Sequence, residues 1–415
     1  MISSWKNTVK DFNSKAGFHL LGSSFLGKIA RFLLSLAVIK ILPPETFGQL
    51  SYALSILAFI APFNGFGLQH SLVRFGAIAK NDLEKSAINQ AILNRGLLAA
   101  ICSSIALFLL ASLVSFNLPG STKMLQILSF QLVGLFVLEF VNGQLLLDKK
   151  NKKYASLNLV YNLVLLLFGV IFTYFLNEIG YLVVLLVVPL VVYAPFISWK
   201  GLFKRVKASN KNEWFKYGIY TGFAALASQL LFSIDTILIG NILKDPIQIA
   251  LYRTGSILPL NLLFIPVTFM KADYVLLANN YKDKSYLVNY LKKYYSIFVP
   301  LTIGITGTGL FFSEEIISLI FGETYKLSAP IFSVLLVGVM GAYLLRAPFG
   351  GLLAAIGRTN YNAITAVTVL VLNIGFNYLF IPKYGIMAAS IATASLLWLS
   401  GIMGMFFFFY LYRKS

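Results

Sequence analysis

The chain has 415 residues, of which 58% are hydrophobic, 15% aromatic and only 12% charged, and a mean hydropathy of +0.79 excludes an ordinary soluble domain. A formal net charge of +19 would suggest nucleic acid in a soluble protein. Here the basic residues fall between apolar runs, where they set membrane topology, so no nucleic-acid partner is expected. One cysteine, Cys102, and two histidines, His19 and His70, allow no intrachain disulfide and no metal site, and no cofactor is expected.

Residues 1–16 lack the apolar core of a cleavable signal peptide. They read as a cytoplasmic interfacial segment with Trp5, Val9 and Phe12 on one face and Lys6, Lys10 and Lys15 elsewhere. The first span, 17–40, carries Ser24, Lys28, Arg31 and Ser35 at spacings of four, three and four, one polar stripe on an otherwise apolar helix. Arg31 lies roughly 13 Å from the outer end, too deep for an end anchor. A charge at the bilayer centre costs about 2.5 to 3.5 kcal/mol, so the stripe must face a cavity or a charge partner rather than lipid. Both readings stand for Lys28 and Arg31: contact with an anionic substrate, or a permanent salt bridge to a neighbouring helix.

Further spans are expected at 47–69, 87–115, 124–146, 155–176, 180–199, 214–240, 248–277, 287–312, 327–350, 360–381 and 384–411, making twelve. His70 and Arg74 close the second at the cytoplasmic face, and Arg95 sits about two turns into the third. Gln131, Glu139 and Asn142 form a polar face on the fourth. Asn158 and Asn162 sit four apart on the fifth, as do Asn373 and Asn377 on the eleventh, the spacing of inter-helix hydrogen bonding. The link 200–213, with Trp199, Leu202, Phe203 and Val206 on one face among basic residues, suits a surface helix against anionic lipid. Asp235 lies deep in the seventh span and reads as the counter-ion of Lys28 and Arg31 or as an ion-coupling carboxylate. Arg253 starts the eighth, which Pro259 and Pro266 bend, and Arg346 precedes Pro348 in the tenth.

With twelve spans, the termini and every second loop share one side. That side holds 22 Lys and Arg against 5 on the other, which places both termini in the cytoplasm. The longest external loop, about 313–326, carries Glu314, Glu315 and Glu323 and is too short for a catalytic domain.

The chain also repeats. LPPETFGQLSYALSIL (42–57) resembles LKDPIQIALYRTGSIL (243–258), GQLLLDKKNKKYASLNLV (143–160) resembles GLLAAIGRTNYNAITAV (351–367), and YFLNEIGYLVV (174–184) resembles YLFIPKYGIMA (378–388). An even number of spans separates the copies, which defines a parallel repeat. The expected organisation is an all-α polytopic membrane protein: a six-helix bundle over 17–199, the basic linker 200–213, and a second six-helix bundle over 214–415, around a central cavity.

FGQLSYALSILAFIAPFNGFGLQHSLVRFGA, IDTILIGNIL before LYRTGSIL, IISLIFGETYKLSAPIFSVLL (316–336) and NIGFNYLFIPKYGIMAASIATA (373–394) together resemble the polysaccharide-export branch of the multidrug/oligosaccharidyl-lipid/polysaccharide (MOP) superfamily, in particular Wzx-type O-antigen flippases. The resemblance spans essentially the whole chain. It implies a MATE-like pair of bundles that turns undecaprenyl-diphosphate-linked oligosaccharide from the inner to the outer leaflet by alternating access. Lipid II flippases typically carry two more helices than the twelve counted here. On this reading Lys28, Arg31, Arg253 and Arg346 receive the diphosphate, with Arg74 and Arg95 as weaker candidates, while Asp235 and Glu139 are the counter-ion or ion-coupling acids. The substrate and membrane lipids are the partners, with other polysaccharide assembly proteins beside them, in a bacterial cytoplasmic membrane, and no enzyme chemistry is expected. The rival readings are a cation-coupled drug or metabolite antiporter of the same fold, which would want acidic rather than basic cavity residues, and a membrane enzyme such as a polymerase, which needs positioned acid, base or metal groups in a wet loop.

Overall fold

The computed structural model describes residues 17–115, 117–198 and 211–414. The expected interfacial segment 1–16, and the linker up to residue 210, lie outside the described residues. Among the described residues every element is helical, with no strand. Eight helices there are long and apolar enough to cross a membrane, and the chain is a multi-pass membrane protein. It divides into two compact units, residues 1–229 and 230–415.

In the first unit, α1 (Gly17–Ile41) packs along α7 (Asn151–Tyr193). The approach is close: a Cβ on Gly27 would lie 2.8 Å from Asn162 Nδ2. Next, α2 (Pro44–Ile60) starts on a proline, which lacks only an N–H that no helix start uses. It ends in an irregular stretch, Ala61–Gly67, before α3 (Leu68–Ala77). Asn64 there is extended and Gly65, Phe66 and Gly67 are left-handed, so one apolar span is two half-helices. Asn64 Nδ2 donates to the Leu132 carbonyl and ties the break to α6 (Gln131–Leu147). Between them, α4 (Asp82–Val114) is capped by Asn81, which accepts from Glu84 N at 2.8 Å, and α5 (Gly120–Ser129) leads into α6. Phe136, Phe140, Tyr193 and Trp214 form the core of this unit.

The 43-residue α7 is too long for one crossing. It breaks at Asn177 (φ 51) and doubles back, since a Cβ on Gly180 would lie 2.0 Å from the Phe172 carbonyl oxygen, whereas eight residues of straight helix span about 12 Å. The 56-residue α16 (Thr359–Lys414) breaks likewise at Gly385 (φ 61), which brings Asn373 within 3.3 Å of Thr393. Both reversals fall inside the third repeated motif.

The second unit mirrors the first at its broken span. After α8 (Lys211–Leu243), which crosses the division, α9 (Pro246–Leu262) again starts on proline, runs 17 residues like α2, and gives way at Leu263 to α10 (Phe264–Ala272). Then follow α11 (Tyr274–Asn279), α12 (Lys284–Phe311), α13 (Ser313–Phe321), α14 (Ala329–Gly341), a π-helical turn Ala342–Arg346, and α15 (Ala347–Ala355). Prolines free carbonyls here, and tyrosines bond them. Pro266 cannot donate to Leu262, whose oxygen accepts from Tyr343 OH at 2.8 Å. Pro348 cannot donate to Leu344, whose oxygen accepts from Tyr295 OH at 2.8 Å. The π turn bonds Ala347 N to Ala342, and the Tyr343 carbonyl accepts from Tyr294 OH at 2.7 Å. In lipid an unmade backbone bond costs several kcal/mol, so these hydroxyls are what let the bends exist. Their rings, with Phe298, form the unit's core.

A buried carboxylate cage and a polar stripe

Asp235 is buried at 5% exposure near the end of α8. Tyr252 OH and Thr393 Oγ1 each donate to its Oδ2 at 2.6 Å, and Asn377 Nδ2 donates to its Oδ1 at 2.7 Å. Asn377 Nδ2 also reaches Asn373 Oδ1 at 3.0 Å, and Asn373 Nδ2 reaches Thr393 Oγ1 at 3.3 Å. The reversal at Gly385 makes this possible, because it brings Thr393 on the returning arm of α16 opposite Asn373 on the outgoing one. All five residues belong to the second unit. Within it the carboxylate is held by neutral donors, which allow it to remain in a desolvated interior. One acceptor is left over: Asn377 Oδ1 is buried without a hydrogen bond. A single carboxylate among amide and hydroxyl oxygens is the donor set of a hard monovalent cation, whereas no group of three or more His, Cys, Asp or Glu gathers among the described residues.

In the first unit, Gly27, Ala30, Leu34 and Val38 are the buried face of α1. At 100° per residue the stripe of Ser24, Lys28, Arg31 and Ser35 lies about a quarter turn from that face, and Lys28 and Arg31 are exposed. The apolar exposed side chains Phe25, Leu26, Ile29 and Leu33 occupy the remaining sector. Arg31 lies near the Tyr161 and Tyr193 hydroxyls. Beside it Asn142 and Asn158 bond reciprocally, at 3.1 and 3.4 Å, and Tyr193 OH donates to Asn158 Oδ1 at 3.2 Å. Asn158 is therefore an inter-helix fastener, whereas Asn162 donates to the Asn158 carbonyl of its own helix.

The other candidates scatter. Arg74 lies over the Tyr217 ring at 4.9 Å and Arg95 over Phe215 at 5.8 Å, so both brace the start of α8, where Ser71 Oγ also donates to the Trp214 carbonyl at 2.8 Å. Glu139 Oε2 is buried without a hydrogen bond, with Gln69 alongside. Arg253 follows Tyr252 of the cage, and its carbonyl accepts from Ser256 Oγ at 2.9 Å. Arg346 closes the π turn and borders three cavities, of about 340, 180 and 30 Å³, all lined by second-unit residues.

Two cage members, Tyr252 and Thr393, carry no spacing signal of their own. Tyr252 was visible only as part of the repeated motif LYRTGSIL, and Thr393 becomes a partner only through the reversal at Gly385.

The fold is shared with solved membrane transporters. A multidrug-resistance MATE family transporter of the MOP superfamily, in an inward-facing conformation, superposes with a TM-score of 0.75 at 14% identity, covering 94% of this chain and 95% of that one. Lipid II flippase MurJ superposes with a TM-score of 0.72 at 15% identity, over 95% and 87% of the two chains. The chain belongs to the polysaccharide biosynthesis protein family, whose profile matches residues 14–271. The capsular polysaccharide biosynthesis protein CapF of Staphylococcus aureus is 24% identical over 98% of this chain and 99% of its own. A putative O-antigen transporter of Shigella flexneri is 25% identical over 43% of this chain and 42% of its own.

Proposed function

We propose that the protein carries undecaprenyl-diphosphate-linked oligosaccharide, an O-antigen, capsular or similar repeat unit, from the inner to the outer leaflet of a bacterial cytoplasmic membrane by alternating access, with both termini in the cytoplasm. The observation that supports this most directly is the stripe on α1. Two cations that lipid would penalise lie exposed on one sector, next to a ready-made edge of amides and phenols. A diphosphate is the ligand such a stripe suits: Arg31 offers a planar fork to two oxygens, Lys28 a mobile point charge, and Asn142, Asn158 and Tyr193 hydrogen-bonding capacity for sugar hydroxyls. The lipid tail stays in the bilayer, and no covalent step is needed. With the cell interior negative, outward movement of the head group is downhill by about 2.3 kcal/mol per charge per 100 mV.

The Asp235 cage adds a coupling device to this reading. A monovalent cation held there would supply one positive charge against the carboxylate, with the Asn377 carbonyl oxygen as a waiting ligand. Tyr252 on α9 and Asn373, Asn377 and Thr393 on α16 would then be drawn towards or released from α8 according to occupancy. An antiporter of drugs or metabolites shares this device but has no use for the basic stripe.

The test is flipping of a lipid-linked oligosaccharide in reconstituted vesicles, with and without an imposed potential. Arg31→Ala should abolish transport and Arg31→Lys keep part of it; wild-type transport by correctly inserted Arg31→Ala protein sinks the proposal.

A further inference from the structure

Arg346 stands apart from the other intramembrane cations. It sits on the π turn that Tyr294 and Tyr295 brace, and among the described residues its guanidinium makes no hydrogen bond or ion pair. What it borders is informative. The smallest of its cavities, about 30 Å³, is also lined by Asn373 and Thr393, two of the residues that hold the Asp235 cage together. That volume accommodates about one water molecule. Arg346 thus shares a cavity with Thr393, whose Oγ1 donates to Asp235 at 2.6 Å. The rest of the lining is Leu260, Leu263, Val369, Leu396 and Leu397, an apolar collar that keeps the local dielectric low and lets a charge be felt across the gap. On its other side Arg346 borders the 180 Å³ cavity with Asn362, Thr365 and Ser400. The amide and both hydroxyls there already donate, to the Gly350, Tyr361 and Leu397 carbonyls at 2.9, 2.9 and 2.7 Å. The two hydroxyls have thereby spent their single protons, which leaves them as acceptors.

We infer that Arg346 is a resident cation that sets the occupancy of the Asp235 cage: it weakens the hold of the carboxylate on a mobile monovalent cation, so that the cage discharges instead of staying filled. This rests on the reading of Asp235 as a cation-coupling group. It assigns Arg346 to positioning that site, not to holding the diphosphate. The π turn matters to the assignment, because it fixes the side chain at the junction of the two polar cavities. Arg253, which also lies close to Tyr252, stays in place when Arg346 is changed and supplies the constant background.

The experiment is sodium-ion binding to the full chain in nanodiscs, measured by calorimetry on wild type, Arg346→Gln, Arg346→Lys and Asp235→Asn. Removing a like charge from a residue that borders the same small cavity should tighten sodium binding about tenfold in Arg346→Gln, while Arg346→Lys stays within about threefold of wild type. Asp235→Asn should abolish it. Binding that Asp235→Asn abolishes but Arg346→Gln leaves unchanged or weaker overturns the inference alone. Binding that Asp235→Asn leaves unmoved overturns the cage reading itself. A merely structural arginine would lower thermal stability in both Arg346 variants without tightening sodium, so a thermal midpoint recorded beside each isotherm separates the two roles.

Discussion

The broken span of the first unit makes the sharpest stability prediction. Gly67 has φ 67, and a Cβ built on it would stand 2.1 Å from the Gly218 carbonyl oxygen, 2.8 Å from the Gly218 carbonyl carbon and 3.2 Å from Gly222 N. Every neighbour is backbone of α8, so no side chain can swing aside. In Gly67→Ala two costs add. The left-handed conformation costs an L-residue about 1 to 2 kcal/mol. Forcing a methyl into close-packed backbone costs about 1 to 3 kcal/mol more. The sum, about 2 to 5 kcal/mol, is a large share of what a domain has. Gly218→Ala should behave alike, because its Cβ would meet the Phe66 carbonyl oxygen at 2.8 Å. Gly22→Ala is the control, with nothing within 4 Å of its Cβ. Thermal unfolding in detergent, followed by intrinsic fluorescence, reads the difference. A Gly67→Ala midpoint equal to that of Gly22→Ala would show that α3 and α8 do not cross backbone to backbone, and would refute the reasoning.

Other expectations concern charge and hydrogen bonding. Thr393→Val removes the hydroxyl that links Asp235, Asn373 and the cavity of Arg346; one charge-assisted bond is worth about 1.5 to 3 kcal/mol, so sodium binding should weaken by at least about tenfold in the calorimetric assay. Tyr295→Phe should lower the thermal midpoint by exposing no new surface yet orphaning the Leu344 carbonyl, a cost of about 1 to 3 kcal/mol, and a midpoint unchanged from wild type would mean that carbonyl finds another donor. Outside the membrane, Lys85 lies 2.6 Å from Asp148 and Lys150 3.1 Å. The Lys85 hydrogen bond holds the Asp148 carboxyl below its usual value. Because that pKa is depressed by folding, the pair's contribution is complete above the unfolded carboxylate value near pH 4 and fades as pH falls through the folded one. Asp148→Asn should therefore cost less than about 1 kcal/mol at pH 7, the group being partly exposed. The difference from wild type should shrink below pH 4 and in high salt; a difference that grows on acidification would contradict the pairing.

Much of the fold was legible because lipid restricts what a backbone can do. Apolar runs of the right length must be helices, and the third repeated motif marks where α7 and α16 turn back. Pro266 announced a bend, but only the structure shows which tyrosine satisfies the freed carbonyl, since Tyr343 and Leu262 are 81 residues apart. The site was half legible. Lys28, Arg31 and Asp235 stand out because charge in an apolar span is expensive. Asn373 and Asn377 stand out by their spacing. Tyr252 and Thr393 are ordinary residues for a membrane helix and gain meaning only from long-range pairing. Arg74 and Arg95 also gain contacts from long range: aromatic rings of α8 engage both, partners that no local pattern encodes.

The reversals at Asn177 and Gly385 each take place over a single residue, inside helices of 43 and 56 residues. Two of the chain's hairpins thus emerge from the membrane with almost no loop. Turns so closely trimmed offer little chain for a protease to cut. They also leave no slack in which a fused tag or reporter could be lodged without prising the two arms apart.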